Sequence, residues 1–191
     1  MARTKEFDQD AVLLKAMRLF WHQGYEKTSM QELVTHMGIH KGSMYDTFGD
    51  KRSLYIKTLK RYSEMLEESQ QRRMANTKSA AEAIRSLFDN AIRHRDENPE
   101  GCFMVNTAVE LANHDAEARD WVQHDWARTE QLILDLIVEG QQSGEIPMTL
   151  HAERLAAFLN NALIGLRVMV KTTMDKAKLN QIIDMNMSVL K

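Results

Sequence analysis

Only two of the 191 residues are proline, Pro99 and Pro147, so the first 98 positions contain none. Proline removes a backbone donor and its ring blocks a helix interior, and a chain this poor in it has little to stop long helices. Strand signals are missing as well: there is no sustained period-two alternation of β-branched residues and no Asn-Gly turn. Apolar residues recur at helical spacing almost throughout, and the fold class that follows is all-α. Helix boundaries are then set by caps and glycines.

The periodicity predicts a first helix over about Asp8 to Gln23, with Ala16, Leu19 and Phe20 inward and Gly24 closing it. Ser29 followed by Glu32 is a capping box that starts a second helix, whose Met30, Leu33, Val34 and Met37 share one face. Gly38 supplies the sharp turn, Ile39 plugs the corner, and a third helix runs from about His40 to Thr47 on Met44 and Phe48. Gly49 ends it, and Asp50 caps a long fourth helix from Lys51.

Two short helices joined by a three-residue, glycine-containing turn form a helix-turn-helix, in which the second helix enters the major groove of DNA. Its residues are small or hydrogen-bonding rather than apolar. Lys41, Tyr45 and Lys51 are candidates for phosphates, Gly42 for close backbone approach, and His40, Ser43 and Thr47 for base edges. Thr28, Ser29 and Gln31, at the start of the second helix, complete the candidate DNA-facing set. Charge agrees: residues 1–62 carry a net +4 and residues 63–191 a net −6. A basic head on an acidic body suits a polyanion.

The run "LFWHQGYEKTSMQELVTHMGIHKGSMYDTFGDKRSLY", Leu19 to Tyr55, resembles the N-terminal domain of the tetracycline-repressor-like (TetR/AcrR) family of bacterial transcription regulators. The elements that carry the resemblance are "LF" then "GY", "TSM", "GIHKGSMY" and "FGDKRSLY". His40 departs from the pattern, standing where Ser, Thr or Asn more often caps the recognition helix. The resemblance implies a DNA-binding domain at residues 1–50 and a ligand-binding and dimerisation domain at residues 51–191, joined by the long fourth helix. It also implies a homodimer on a palindromic double-stranded operator, released by a small-molecule effector. An activator, or a thiol-based sensor of electrophiles or oxidants on the same fold, is the alternative.

In the body, a helix from about Ser79 to Arg95 exposes Arg85, Arg93 and Arg95 and buries Ala83, Leu87, Phe88 and Ala91. Pro99 suits the first position of the next helix, "CFMVNTAVELA", which is apolar nearly all round and therefore central. Asn106 and Glu110 within it must either bond neighbouring helices or face a cavity. A helix from about Ala116 to Gln142 directs Trp121, Val122, Asp125, Thr129, Ile133, Leu136 and Ile137 inward, as plain core or as a pocket wall. Phe88, Cys102, Phe103, Asn106, Glu110, Trp121, Asp125 and Asn160 are the candidate ligand residues. Cys102, about one turn into its helix, is either an inert buried thiol or a reactive one.

The last two helices, Leu155 to Val170 and the one carrying Leu179, look too apolar for an outer edge. Leu159, Leu163, Leu166, Leu179, Ile182, Ile183 and Met187 are the candidate dimer interface, and the resemblance implies an intersubunit four-helix bundle there. A single cysteine excludes an intramolecular disulfide and a cysteine-rich metal site. No GxSxG, HExxH or phosphate-cradling glycine loop occurs, so neither an enzyme nor a cofactor or metal is expected. Without a hydrophobic leader or an 18-residue apolar run, the expected place is the cytoplasm, with no membrane partner.

Overall fold

The computed structural model describes residues 7–97, 101–173 and 175–191, and among them every regular element is helical. The order is α1 (Gln9–Gln23), α2 (Met30–Met37), α3 (Lys41–Phe48), α4 (Lys51–Met74), α5 (Ala80–Glu97), α6 (Phe103–Leu111), α7 (Ala116–Gln142), α8 (Ala152–Met169) and α9 (Lys176–Met187). A single 3-10 turn, Ser188–Leu190, follows. Pro99 and the side chain of Arg95 lie outside what is described.

The head helices begin and end where local chemistry dictates. Asp8 accepts from the Asp10 and Ala11 amides at 3.0 and 3.2 Å and caps α1. Ser29 and Glu32 make the reciprocal capping box of α2, at 3.2 and 2.8 Å. Gly38 takes φ 71° and ψ 32°, the left-handed conformation that lets the chain turn between α2 and α3. Asp50 caps α4 through the Ser53 amide at 2.7 Å.

Two apolar cores result. The proximal one joins Val12, Ala16, Met17, Phe20 and Trp21 of α1 to Leu33, Met37, Met44 and Phe48, and continues through α4 into α6 and the start of α7. It is rich in aromatic rings: Tyr55 lies edge-on to Phe20 at 5.0 Å and to Phe103 at 5.4 Å, and Tyr62 lies edge-on to Phe103 at 5.7 Å. The distal core is aliphatic but for Phe88, and is shared by α5, α7, α8 and α9.

Three expectations change in the body. Leu159, Leu163, Leu166, Leu179 and Ile183 are all buried inside this chain's own distal core, and Ile182 and Met187 are half-buried. The apolar surplus read as an interface is therefore mostly intramolecular: α5 and α7 cover it. Cys102 is the N-cap residue of α6, not one turn inside it, and its side chain makes no cap hydrogen bond. Trp121 is half-buried rather than on the inner stripe of α7, while Val122, Asp125, Thr129, Ile133, Leu136 and Ile137 are buried as expected.

Candidate nucleic-acid interface

The outward face of α3 carries Lys41, Gly42, Tyr45 and Asp46, all exposed, with Ser43 half-buried beside them. Met44 and Phe48, at 0% and 3% exposure, hold the opposite face against the head. A β-carbon added at Gly42 would meet nothing within 4 Å, so the helix surface there is bare backbone open to an approaching ligand. Tyr45 keeps 43% exposure, a large ring left in water. His40 is exposed and makes no side-chain cap, leaving the first-turn amides of α3 to solvent or an anion. Lys51 Nζ lies 4.3 Å over the Tyr25 ring, and that stacking presents its charge beside the α1–α2 turn.

Two candidates point the wrong way. Thr28 is fully buried and donates to the Gly24 carbonyl at 2.6 Å, so it shapes the α1–α2 turn instead of meeting a phosphate. The Thr47 hydroxyl oxygen is buried with no partner and faces a hollow between α1 and α4 lined by Leu13, Phe48, Lys57 and Arg61. It is not on the outward face. Ser29 and Gln31 are exposed, although the Ser29 hydroxyl already caps α2. Lys27, exposed in the same turn, was not singled out by the sequence pattern; its closeness to the α2 N-terminus is the signal that marks it.

The head is fastened to the body by charged contacts that span the chain. The Glu110 carboxylate of α6 accepts from the Tyr25 and Glu26 amides at 3.0 and 2.9 Å. Gly24 holds φ 86°, which other residues adopt only with strain, and a β-carbon there would lie 3.0 Å from both Glu110 oxygens, so the carboxylate would have to give way. Arg52 of α4 makes a two-pronged pair with Asp115 at 2.6 and 2.9 Å and reaches Glu117 at 2.9 Å. The hydrogen bond to Arg52 holds the Asp115 carboxyl below its usual range. Arg61 pairs with Asp10 at 2.7 Å, tying α4 to α1. Glu110 is thus a clamp between head and body, not a ligand group.

The other candidate ligand residues do not converge on one site. Phe88 belongs to the distal core and Phe103 to the proximal one, both fully enclosed. Asn106 accepts from Lys171 at 2.7 Å. Trp121 lies edge-on to His124 at 6.4 Å. Cys102 is buried and accepts from the Tyr62 hydroxyl at 3.6 Å. Burial first, and the neighbouring thiol second, push the Tyr62 phenol well above its ordinary value.

Asp125 and Asn160 lie on the sides of α7 and α8 that form a polar seam, each with its own partners. Asp125 accepts from Arg128 at 3.0 Å, and Asn160 donates to the Trp126 carbonyl and to Glu130 at 3.3 and 3.2 Å. Asp125 Oδ2, Asn160 Oδ1 and Arg167 Nη1 are buried without a partner. Arg128 and Arg167, absent from the sequence-derived set, complete this seam; their only sequence signal was charge inside apolar helices.

No helix among the described residues is long and apolar enough to cross a membrane. Compared with known proteins, residues 12–58 match the bacterial regulatory proteins of the tetR family, and residues 80–185 match the tetracyclin repressor-like C-terminal domain. The chain is 34% identical to the HTH-type transcriptional regulator YezE of Bacillus subtilis, over the full length of both. It is 32% identical to the HTH-type transcriptional repressor ComR of Escherichia coli, over 94% of this chain and 87% of that one. Among solved structures, the TetR family regulator CifR, a cysteine mutant bound to 26-bp double-strand operator DNA, superposes with a TM-score of 0.88 at 26% identity, covering all of both chains. These relatives are regulators of transcription rather than enzymes. With a family match over more than half its length and a helix-turn-helix head whose recognition helix is open to solvent, the chain belongs to the TetR family of bacterial transcriptional regulators.

Proposed function

We propose that the protein is a ligand-responsive repressor that binds a palindromic operator as a homodimer and leaves it when a small molecule occupies the body. The observation that carries this reading is the pairing of an unencumbered α3 face with the Glu110 clamp. The head presents Lys41, Gly42 and Tyr45 outward, while its α1–α2 turn hangs on a carboxylate of α6. A ligand that shifts α6 moves the turn that seats α2 and α3, which is a population shift between two head positions. The orphaned polar atoms of Arg73 and Arg167 support a body built to accept a polar guest, since such groups are costly when nothing meets them.

Dimerisation would use the outer face of the last two helices. Phe158 and Val168, each 47% exposed, lie on α8 with the open backbone of Gly165 between them, and Met185, 72% exposed, lies on α9. Large apolar side chains left in water along one helix pair are the usual mark of an interface. Cys102 gives the thiol-sensing alternative little support, being buried behind Tyr62.

The test is fluorescence anisotropy on palindromic duplexes from the DNA flanking the gene, across a salt series. Two chains should bind per palindrome, and Lys41→Ala should weaken binding to every sequence alike while lowering the log-salt slope by about one per half-site. An unchanged slope removes Lys41 from the contact set, and salt-independent binding to any duplex removes the function.

A further inference from the structure

An open cleft of about 490 Å³ lies between α1, α4 and α5, outside every candidate set above. Among the described residues, five arginines line it, Arg18, Arg61, Arg72, Arg73 and Arg93, against a single carboxylate, Glu68. Arg61 is already committed to Asp10, and Glu68 reaches Arg61 and Arg72 only at 3.7 and 4.0 Å. Arg73 is the best placed. Its Nη1 donates to Ser69 and Asn90, both at 2.7 Å, which fixes the guanidinium in the cleft wall. Its Nε is buried and has no partner.

The floor is apolar, made of Leu14, Met17, Trp21, Met65 and Leu66. At the inner end a pocket of about 20 Å³, room for one water, continues from Tyr62, Leu66 and Asn90 to Arg167, whose Nη1 is buried and unpartnered. Burial, and then the fields of Arg93, Arg72 and Arg167, pull the Arg73 guanidinium below its ordinary value. Like charges crowded against a half-buried wall raise the energy of the empty site, and an anion lowers it.

Operator phosphate is the wrong occupant. Arg73 lies 22 residues beyond Lys51 along α4, about 33 Å at the helical rise, which carries it away from the α3 face. The volume falls in the range of small-molecule sites, and the combination of forked donors with an apolar floor selects a charged head on a hydrophobic body.

We propose that this cleft is the effector site and that the effector is a small organic anion, a carboxylate or phosphate ester, held by Arg73, Arg93 and Arg18 with its apolar part against Trp21 and Leu66. The inference rests on the ligand-responsive reading above and supplies the chemistry of the ligand. The site is built from α1 of the head and from α4 and α5, so an anion clamped there draws α1 toward α5 and works against the seating set by Glu110.

Calorimetry on the full chain with 1-naphthoate, 1-naphthyl phosphate, uncharged 1-naphthol and inorganic phosphate tests this. One or both aromatic anions should bind once per chain, with naphthol and inorganic phosphate each about ten-fold weaker or worse; the tighter anion identifies the head group. Arg73→Gln should weaken anion binding by about ten-fold, and the exposed Arg93→Gln and Arg18→Gln, which carry no folding risk, by several-fold. Naphthol binding as well as the anions, inorganic phosphate binding as well as the esters, or anion affinity indifferent to all three substitutions would each overturn the proposal. The bound anion should also lower operator affinity. Anion binding that leaves operator affinity unchanged overturns the effector role alone, whereas failure of the untreated protein to bind any operator counts against the function proposed above and not against the cleft.

Discussion

The proximal and distal cores are built from different side chains and hold together by different means. In the proximal core, rings meet edge to face and carry polar handles: the Tyr55 hydroxyl lies 2.9 Å from Thr107 Oγ1, and Tyr62 reaches Cys102. Such contacts are directional, so the rings of α1, α4 and α6 have few alternative packings. In the distal core, leucine, isoleucine and alanine fill space without direction, and register is left to a few polar groups along α7 and α8. The stiff core straddles the head and the body and walls the arginine-lined cleft, while the softer one lies beneath the surface proposed for the partner. Under the proposed function, motion generated at the ligand site would then be transmitted to the head rather than absorbed between them.

Phe103 and Phe88 offer the sharpest way to break this contrast. Each is fully enclosed, at 1% and 0% exposure, one in each core. Truncation to alanine should cost either variant about 3–5 kcal/mol, read from urea midpoints. The losses in operator affinity should differ widely. Phe103→Ala removes the ring that joins Trp21, Tyr55 and Tyr62 and should abolish tight binding even where the protein remains folded; Phe88→Ala should keep it. Equal losses of DNA binding in the two folded variants would mean that the cores are coupled alike to the head.

Glu110 sharpens the comparison at one contact. Alanine there leaves the Tyr25 and Glu26 amides to water, at a cost near the low end of the range for a charged acceptor, about 1.5 kcal/mol, because the site is half-exposed. Amide exchange at Tyr25 and Glu26 should accelerate while exchange within α8 stays as before. If both regions quicken together, the clamp stabilises the whole fold and conveys nothing to the head in particular.

How far each region could be read in the sequence follows from the range of its determinants. Asp8, Ser29 with Glu32, Gly38 and Asp50 act within four residues of themselves, so the first three helices and the start of the fourth fell within a residue or so of expectation. The face of α3 was legible because Met44 and Phe48 fix its rotation. Side-chain direction at the edges was not: Thr28 and Thr47 turn inward to find or to lose partners that the spacing does not encode. Contacts across the fold were out of reach too, as with Glu110 and an amide 85 residues away. Apolar surplus in α8 and α9 could not be divided between self and partner, since an inward Leu163 and an outward Phe158 look alike in one dimension. Helical spacing alone does not say which of two apolar stripes the neighbouring helices will cover.

Asp125 supplies the smallest expected effect, and it probes the polar seam of the softer region. Its carboxyl is pushed up by burial, against the pull of Arg167 on α8, and of Arg128 and His124 on its own helix; Ser63 and Glu67 of α4 share Arg128 with it. A carboxyl raised in the folded state holds its proton to a higher pH than it does in the unfolded chain. Stability therefore declines as pH rises from the ordinary aspartate value, about 3.9, through the raised folded value, and is level beyond it. Asp125→Asn keeps an acceptor for Arg128 but cannot ionise. Its urea midpoint should differ least from wild type near pH 4 and gain on it as pH rises through that window, by less than the Glu110 substitution loses. Because the two proteins share every other titrating group, the difference between their midpoints isolates this one carboxyl. A difference that stays constant with pH would show that Arg128 and Arg167 fully compensate its burial, and the seam would then be as firmly fixed as the aromatic core.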